Sequence, residues 1–287
     1  MVTVLQDAAG PATAGAPGTR GQQHRALFAV SYDSISVLRE FATKHGVRYP
    51  LLSDEGSQVM QSLGLINERV QEDHAFYGIQ PNPKHVNLPY PGVFVLDAAG
   101  TITHKRFHES YRVRDTGAGL IAETLGILDG GHGPEMAADG DTVSVRAWLD
   151  SATYCAFQQL HLTVELAIAP GFHVYGDPIP KGYVPLRVEV APIEGLELRP
   201  MRWPSPHPFK VEGLDEEFPV HEGTVRGSLP FAFTAPPGAG DQVIRATVRY
   251  QACSASTCLA PVAVQVEMPV RESALVGRAL PTRTSGA

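Results

Sequence analysis

Tyr250-Gln-Ala-Cys253-Ser-Ala-Ser-Thr-Cys258-Leu-Ala-Pro261 sets two of the chain's 3 cysteines at the end of one apolar run and the start of the next. Across a hairpin, cysteines so spaced can bring their α-carbons within the span of about 4.4 to 6.8 Å that a disulfide needs. The bond would close only a short loop, worth roughly 2 kcal/mol on the chain-entropy model. Stapling is therefore a weak reason for the pair, and redox use a better one. A structural disulfide and a half zinc site stay open as readings, although no second Cys pair or nearby His completes four zinc ligands.

Outward from this pair the pattern is one of short alternating runs. Leu160 to Ile168, Leu186 to Val190, Leu229 to Phe233, Val243 to Tyr250 and Val262 to Met268 are separated by Pro/Gly turns, and none has a helical period. The spacing predicts an all-β sandwich over residues 142–270, with a frayed tail over 271–287. The glycine-rich stretch before it predicts a linker over 129–141.

Further towards the N-terminus the alternation changes to α/β. Ala26 to Ser31 is a continuous apolar run of the kind buried in a parallel sheet. A helix is predicted from Ile35 to Lys44, capped by Asp33 or Ser34, striped by Val37, Leu38 and Phe41 and stopped by Gly46. A short extended Tyr49 to Asp54, a helix near Ser57 to Leu63, a strand Gly92 to Leu96, a turn Asp97-Ala-Ala-Gly100 and a return strand to Phe107 follow. A last helix is expected near Thr116 to Leu125, closing a domain over 24–128. Residues 26–30 and 92–96 should be neighbouring parallel strands. Residues 1–23 carry no apolar period beyond Gln6 and predict disorder or a remnant helix.

The whole chain, at 287 residues, suits two domains of ordinary size. A net charge of -7 with no basic run excludes a nucleic-acid footprint. No apolar run approaches the roughly 20 residues that span a bilayer. The N-terminus lacks a basic start and an apolar core, so the sequence as written predicts a cytoplasmic protein. No cofactor is expected. His104 and His108 lie in a strand and the turn after it rather than on one helical face, so no metal site is predicted there.

Phe28-Ala-Val-Ser-Tyr-Asp33, Phe41-Ala, Tyr49-Pro-Leu-Leu-Ser-Asp54 and Pro91-Gly-Val-Phe-Val-Leu-Asp97 with Gly100 together resemble the redoxin family, the alkyl hydroperoxide reductase / thiol-specific antioxidant group, over about residues 24–125. The resemblance implies a thioredoxin-like fold and makes Pro91 the candidate for that fold's cis proline. It also implies a catalytic cysteine at the start of the first helix. Met1 to Gln6 resembles the end of that helix, so the first β-α unit and its cysteine are missing. Peroxidase turnover by this part is not expected, because a thiolate is the required nucleophile. An incomplete sheet should expose apolar surface and favour self-association or a partner. A start codon further upstream would restore the motif and could add an export signal.

Leu160-His-Leu-Thr-Val, Pro170-Gly-Phe-His-Val-Tyr175, Trp203-Pro and Tyr250-Gln-Ala-Cys253 resemble, in order, the disulfide bond corrector domains typified by the N-terminal domain of the thiol:disulfide interchange protein DsbD. That resemblance implies an immunoglobulin-like fold, a redox-active Cys253/Cys258 pair, a thiol/disulfide protein partner and a periplasmic setting. It also implies an aromatic cap on the pair, for which Phe209 is the candidate and Phe218 the alternative, with Phe172, Tyr175 and Tyr250 nearby. The competing reading is a non-catalytic scaffold with a structural disulfide. Cys155, alone before a strand, is expected to be a buried, inert residue.

Overall fold

The computed structural model describes residues 2–7, 25–72, 80, 87–108, 113–117, 119–120, 133–210, 217–234 and 239–273. The chain divides into two compact units, Met1–Arg114 and Asp115–Ala287.

In the first unit, β1 (Val2–Asp7), β2 (Arg25–Ser31), β3 (Leu51–Ser53), β4 (Gly92–Leu96) and β5 (Ile102–Phe107) form one sheet of order β3-β2-β1-β4-β5. The N-terminal segment is thus a strand and not the remnant of a helix. Val-Thr-Val-Leu is rich in β-branched residues, which favour extended backbone. It pairs antiparallel with β2 and parallel with β4. Residues 26–30 and 92–96 therefore share a sheet but are not neighbours, and they run in opposite directions.

Helix α1 (Ile35–His45) closes at Gly46, which takes a left-handed φ of 63°. Of its predicted stripe only Leu38 is buried, while Val37 and Phe41 stay exposed. Helix α2 (Gln58–Ser62) is started from Asp54, whose carboxylate accepts the Val59 and Met60 N–H groups, each at 3.0 Å. Met60 and Phe94 centre a small core with Val30, Leu65, Ile66, Leu96 and Phe107. The Asp97 carboxylate accepts the N–H groups of Ala99 and Thr101 and fixes the β4–β5 turn. The Tyr90–Pro91 bond is trans, and among the described residues the cis bond is Asp177–Pro178. Pro91 enters its strand extended, its carbonyl accepting the His108 N–H at 3.2 Å in continuation of the β4–β5 ladder.

The strand β6 (Arg114–Asp115) marks the boundary. The expected last helix appears as a helical turn at Gly117, Gly119 and Leu120, and its remainder lies outside the described residues. This turn belongs to the second unit, where the Thr116 hydroxyl donates to Asp150.

The second unit is mostly β: β7 (Glu135–Ala138), β8 (Val143–Leu149), β9 (Thr153–Tyr154), β10 (Gln158–Ile168), β11 (His173–Tyr175), β12 (Arg187–Val190), β13 (Leu196–Leu198), β14 (His207–Lys210), β15 (Glu217–His221), β16 (Thr224–Phe233), β17 (Gln242–Tyr250), β18 (Ala252–Cys253) and β19 (Val262–Glu272). Three sheets result, ordered β13-β16-β10-β8-β7, β12-β17-β19-β9 and β14-β15-β11-β18. Strand β7 pairs with β8 inside the expected linker, and Arg271 pairs with Thr153 inside the expected tail.

Alternate residues of five strands build one core: Val143, Val145, Ala147 and Leu149; Leu160, Leu162, Val164 and Leu166; Leu229, Phe231 and Phe233; Ile244, Ala246 and Val248; Val266, Met268 and Val270. The period of two is what one buried face per sheet demands. Gly227 interrupts the series on β16 because the Trp203 ring occupies its place: a Cβ there would lie 2.3 Å from the ring. Gly227→Val should therefore destabilise the fold by about 1–3 kcal/mol, read as a lower urea midpoint of the intact chain.

Candidate redox site

Strand β17 ends at Tyr250, and Gln251 turns the chain into β18. The Gln251 side-chain amide donates to the Leu259 carbonyl at 3.0 Å and accepts the Val184 N–H at 3.3 Å, tying the two sides of the turn to each other and to the Val184 segment. Within the turn the Ser254 N–H donates to the Thr257 carbonyl at 2.8 Å, and the Leu259 N–H to the Ala252 carbonyl at 2.9 Å. The Ser254 hydroxyl oxygen accepts the N–H groups of Ser256 and Thr257 at 3.3 and 3.1 Å, a local bond that serine makes readily in turns. Cys253 and Cys258 so lie directly opposite each other, Cα atoms 4.0 Å apart, joined as a disulfide.

The two sulfurs sit in different surroundings. Cys253 is 0% exposed, whereas Cys258 is an exposed residue. Strand β18 pairs with β11 in the register His173↔Cys253 and Val174↔Ala252. Strand alternation then divides the side chains: Val174 and Ala252 enter the main core, while His173, Tyr175 and Cys253 face the other way. Tyr175, Phe218, Val220 and Cys253 form a second cluster, with Ile179, Tyr183 and Phe209 packed against it.

Tyr175 places its hydroxyl 3.5 Å from the Cys258 sulfur. Burial, with a smaller contribution from Tyr183, raises its pKa and keeps it a proton donor. Phe209 lies partly exposed, its ring 4.3 Å from that of His173, so it covers the cluster from outside. Phe218, the alternative cap, is buried and packs against both Tyr175 and Tyr183. Phe172 and Tyr250 are not in this cluster, since both pack with the main core. Pro91 lies in the other unit.

His173 is the neighbour of Cys253 that sequence reasoning missed. It is 2% exposed, and its Nε2 has no hydrogen-bond partner. The signal was available in Gly-Phe-His-Val-Tyr: if Val174 is core, His173 and Tyr175 must share the opposite face. Cys155 is half-buried, 3.5 Å from the Gln158 side-chain oxygen, and burial pushes its thiol pKa up. His104 is exposed beside Thr103. Among the described residues no three His, Cys, Asp or Glu side chains come together as metal ligands.

Residues 149–269 match the family described as "Thiol:disulfide interchange protein DsbD, N-terminal", and residues 19–105 match the AhpC/TSA family. One segment of the chain is thus similar to the AhpC/TSA family and another to the DsbD N-terminal family. Solved structures similar to it include the N-terminal periplasmic domain of ScsB from Proteus mirabilis, at 16% identity over 48% of this chain and 51% of that one, TM-score 0.36. The Neisseria meningitidis DsbD N-terminal domain in the reduced form is 15% identical over 48% of this chain and 85% of that one, TM-score 0.29. The chain spans about half the length of the ScsB domain. None of the curated proteins matches the chain. The cytoplasmic expectation finds no support in these matches, and the ScsB domain is described as periplasmic. No helix of the described residues is long and apolar enough to cross a membrane. Both segments, with the disulfide of the DsbD N-terminal segment, support a thiol-disulfide redox role.

Two buried histidines of this segment give it a pH dependence. Burial lowers the pKa of His173, with Glu222 opposing and His207 adding to the shift, and burial followed by His207 lowers that of His221. The unfolded chain then binds protons that the fold refuses. Stability is full above the ordinary value of 6.5 and is lost as pH falls through the lowered folded values. Urea unfolding at falling pH should show this loss, and replacing both rings by Phe should flatten it.

Proposed function

We propose that the chain is a thiol-disulfide oxidoreductase that exchanges electrons with a protein partner through Cys253 and Cys258, Cys258 being the sulfur the partner reaches. The observation that carries this reading is the unequal exposure of the two cysteine residues. A partner thiolate attacks the Cys258 sulfur in line with the S–S bond, forming a mixed disulfide and expelling Cys253 as a thiolate. A second partner thiolate then attacks the partner's own sulfur in that mixed disulfide and releases Cys258. Two electrons pass, the chain is reduced and the partner oxidised; run backwards, the same steps reduce a partner disulfide.

The readings of the two units as thioredoxin-like and immunoglobulin-like belong to this proposal, as does an oxidising compartment such as the periplasm, where an exposed disulfide persists. All three cysteines lie in the second unit, so the AhpC/TSA segment serves as a docking surface and not as the thiol centre. Phe209 acts as the cap: it excludes small thiols from the cluster and moves when a partner arrives.

Single-cysteine variants test the assignment. Cys253→Ser should form a long-lived mixed disulfide with a thioredoxin-fold protein through Cys258, and Cys258→Ser should form little. Equal trapping by both variants contradicts the assignment, and a reduction potential well below about -300 mV would mark the pair as a structural bridge. Phe209→Ala should speed the reaction of the reduced pair with a small disulfide reagent several-fold at unchanged thermal stability, and an unchanged rate removes the cap from the reading.

A further inference from the structure

Resting on the exchange reading above, we propose that the ring of His173 is the hydrogen-bond donor that receives the Cys253 sulfur when the disulfide opens, and so stabilises the leaving thiolate. Three observations converge on this. His173 is opposite Cys253 in the β11–β18 register, so the two side chains stand side by side on one face of the sheet. Its Nε2 is buried with no partner, in a residue 2% exposed. Such atoms are rare, because each forfeits its hydration without compensation. The surrounding groups do not answer it: the Phe209 ring at 4.3 Å offers only a π face, and the Tyr175 hydroxyl is directed at Cys258.

The missing partner appears during the reaction. In the disulfide, Cys253 carries no proton and no charge, and its sulfur is a weak acceptor. When a partner thiolate bonds to the Cys258 sulfur, the S–S electron pair passes to Cys253, leaving a full negative charge on a sulfur that is 0% exposed. Water cannot solvate it in place. A neutral imidazole carrying its proton on Nε2 donates a hydrogen bond to that thiolate without giving the proton up, so the step balances as thiolate plus disulfide to mixed disulfide plus thiolate. The orphaned nitrogen is then a donor left available for charge that develops only as the reaction proceeds.

The titratable groups around the ring are Tyr175 on its own strand, His207 on β14, Glu222 after β15 and Cys253 on β18. Of these His207 is held to Glu222 at 3.3 Å, which leaves Cys253 as the group nearest in register to the bare nitrogen.

The experiment uses the full-length oxidised chain and dithiothreitol, with free thiol as the readout. His173→Phe should open its disulfide about tenfold more slowly than the wild type, the effect expected for one hydrogen bond to a charged group. His173→Gln, which keeps a side-chain N–H, should recover most of the rate. In a Cys155→Ala, Cys258→Ser background, ultraviolet titration of the remaining thiolate should show the Cys253 pKa about one unit higher when His173 is Phe. Should the Phe variant fail to fold, the wild type decides: the ¹⁵N resonance of His173 Nε2 must shift between the oxidised and reduced protein. Unchanged rate and titration in a folded Phe variant, or an unmoved resonance, overturns the role of His173 while leaving exchange intact. A Cys253→Ser variant that traps no thioredoxin-fold protein through Cys258 overturns the exchange reading and this role together.

Discussion

Val174 and Ala252 face each other across β11 and β18, and both are sealed in the main core. The geometry of the site depends on that pairing. A strand alternates faces with a period of two, so fixing Val174 inward fixes His173 and Tyr175 outward, and fixing Ala252 inward fixes Cys253 outward beside them. A slip of one residue would send Tyr175 into the core and leave the disulfide beside Val174. The register is therefore held by apolar burial on one side of the strand, while the chemistry is displayed on the other.

This arrangement separates stability from redox state. A bridge closing so short a loop contributes roughly 2 kcal/mol. Burial of each large core side chain contributes about 1.5–3 kcal/mol, and the main core contains Leu149, Leu160, Leu162, Leu166, Phe231 and Met268 among many others. Opening the disulfide should thus leave the core of the second unit standing, a requirement for any bond that must break and reform. The turn itself is held by the Ser254 bonds and by Gln251, neither of which involves sulfur.

Much of this was legible because it is local. The strands of the second unit announce themselves by alternation, and Leu160 to Ile168 was readable as a buried strand from its own residues. The cysteine pair was legible because hairpin spacing and bonding reach are short-range facts. What escaped depended on distant partners. Val2–Asp7 is too short for its period to separate strand from helix, and its partners lie about 20 and 90 positions away in the chain. Phe172 and Tyr250 were placed at the site by proximity in sequence, yet their parity matches Val174 and Val248, which are core. The same parity argument identifies His173. Val37 and Phe41 show the converse: a helical stripe records which face is apolar but not whether another element covers it.

If the pair exchanges as proposed, the unequal burial of the two cysteines also orders the reaction in both directions. Attack on a disulfide needs the nucleophile in line with the S–S axis, and only Cys258 offers such an approach from solvent. By microscopic reversibility, the thiol that forms a mixed disulfide with an oxidised partner must be the same Cys258, and Cys253 must be the one that closes the ring and expels the partner. The buried sulfur never meets the partner; it meets only Cys258 and the groups of its own cluster. Tyr175 beside Cys258 and His173 beside Cys253 would then not be interchangeable: in the proposed exchange the first stands where the partner bonds and the second where charge accumulates. A site built with both cysteines equally exposed would need no such division.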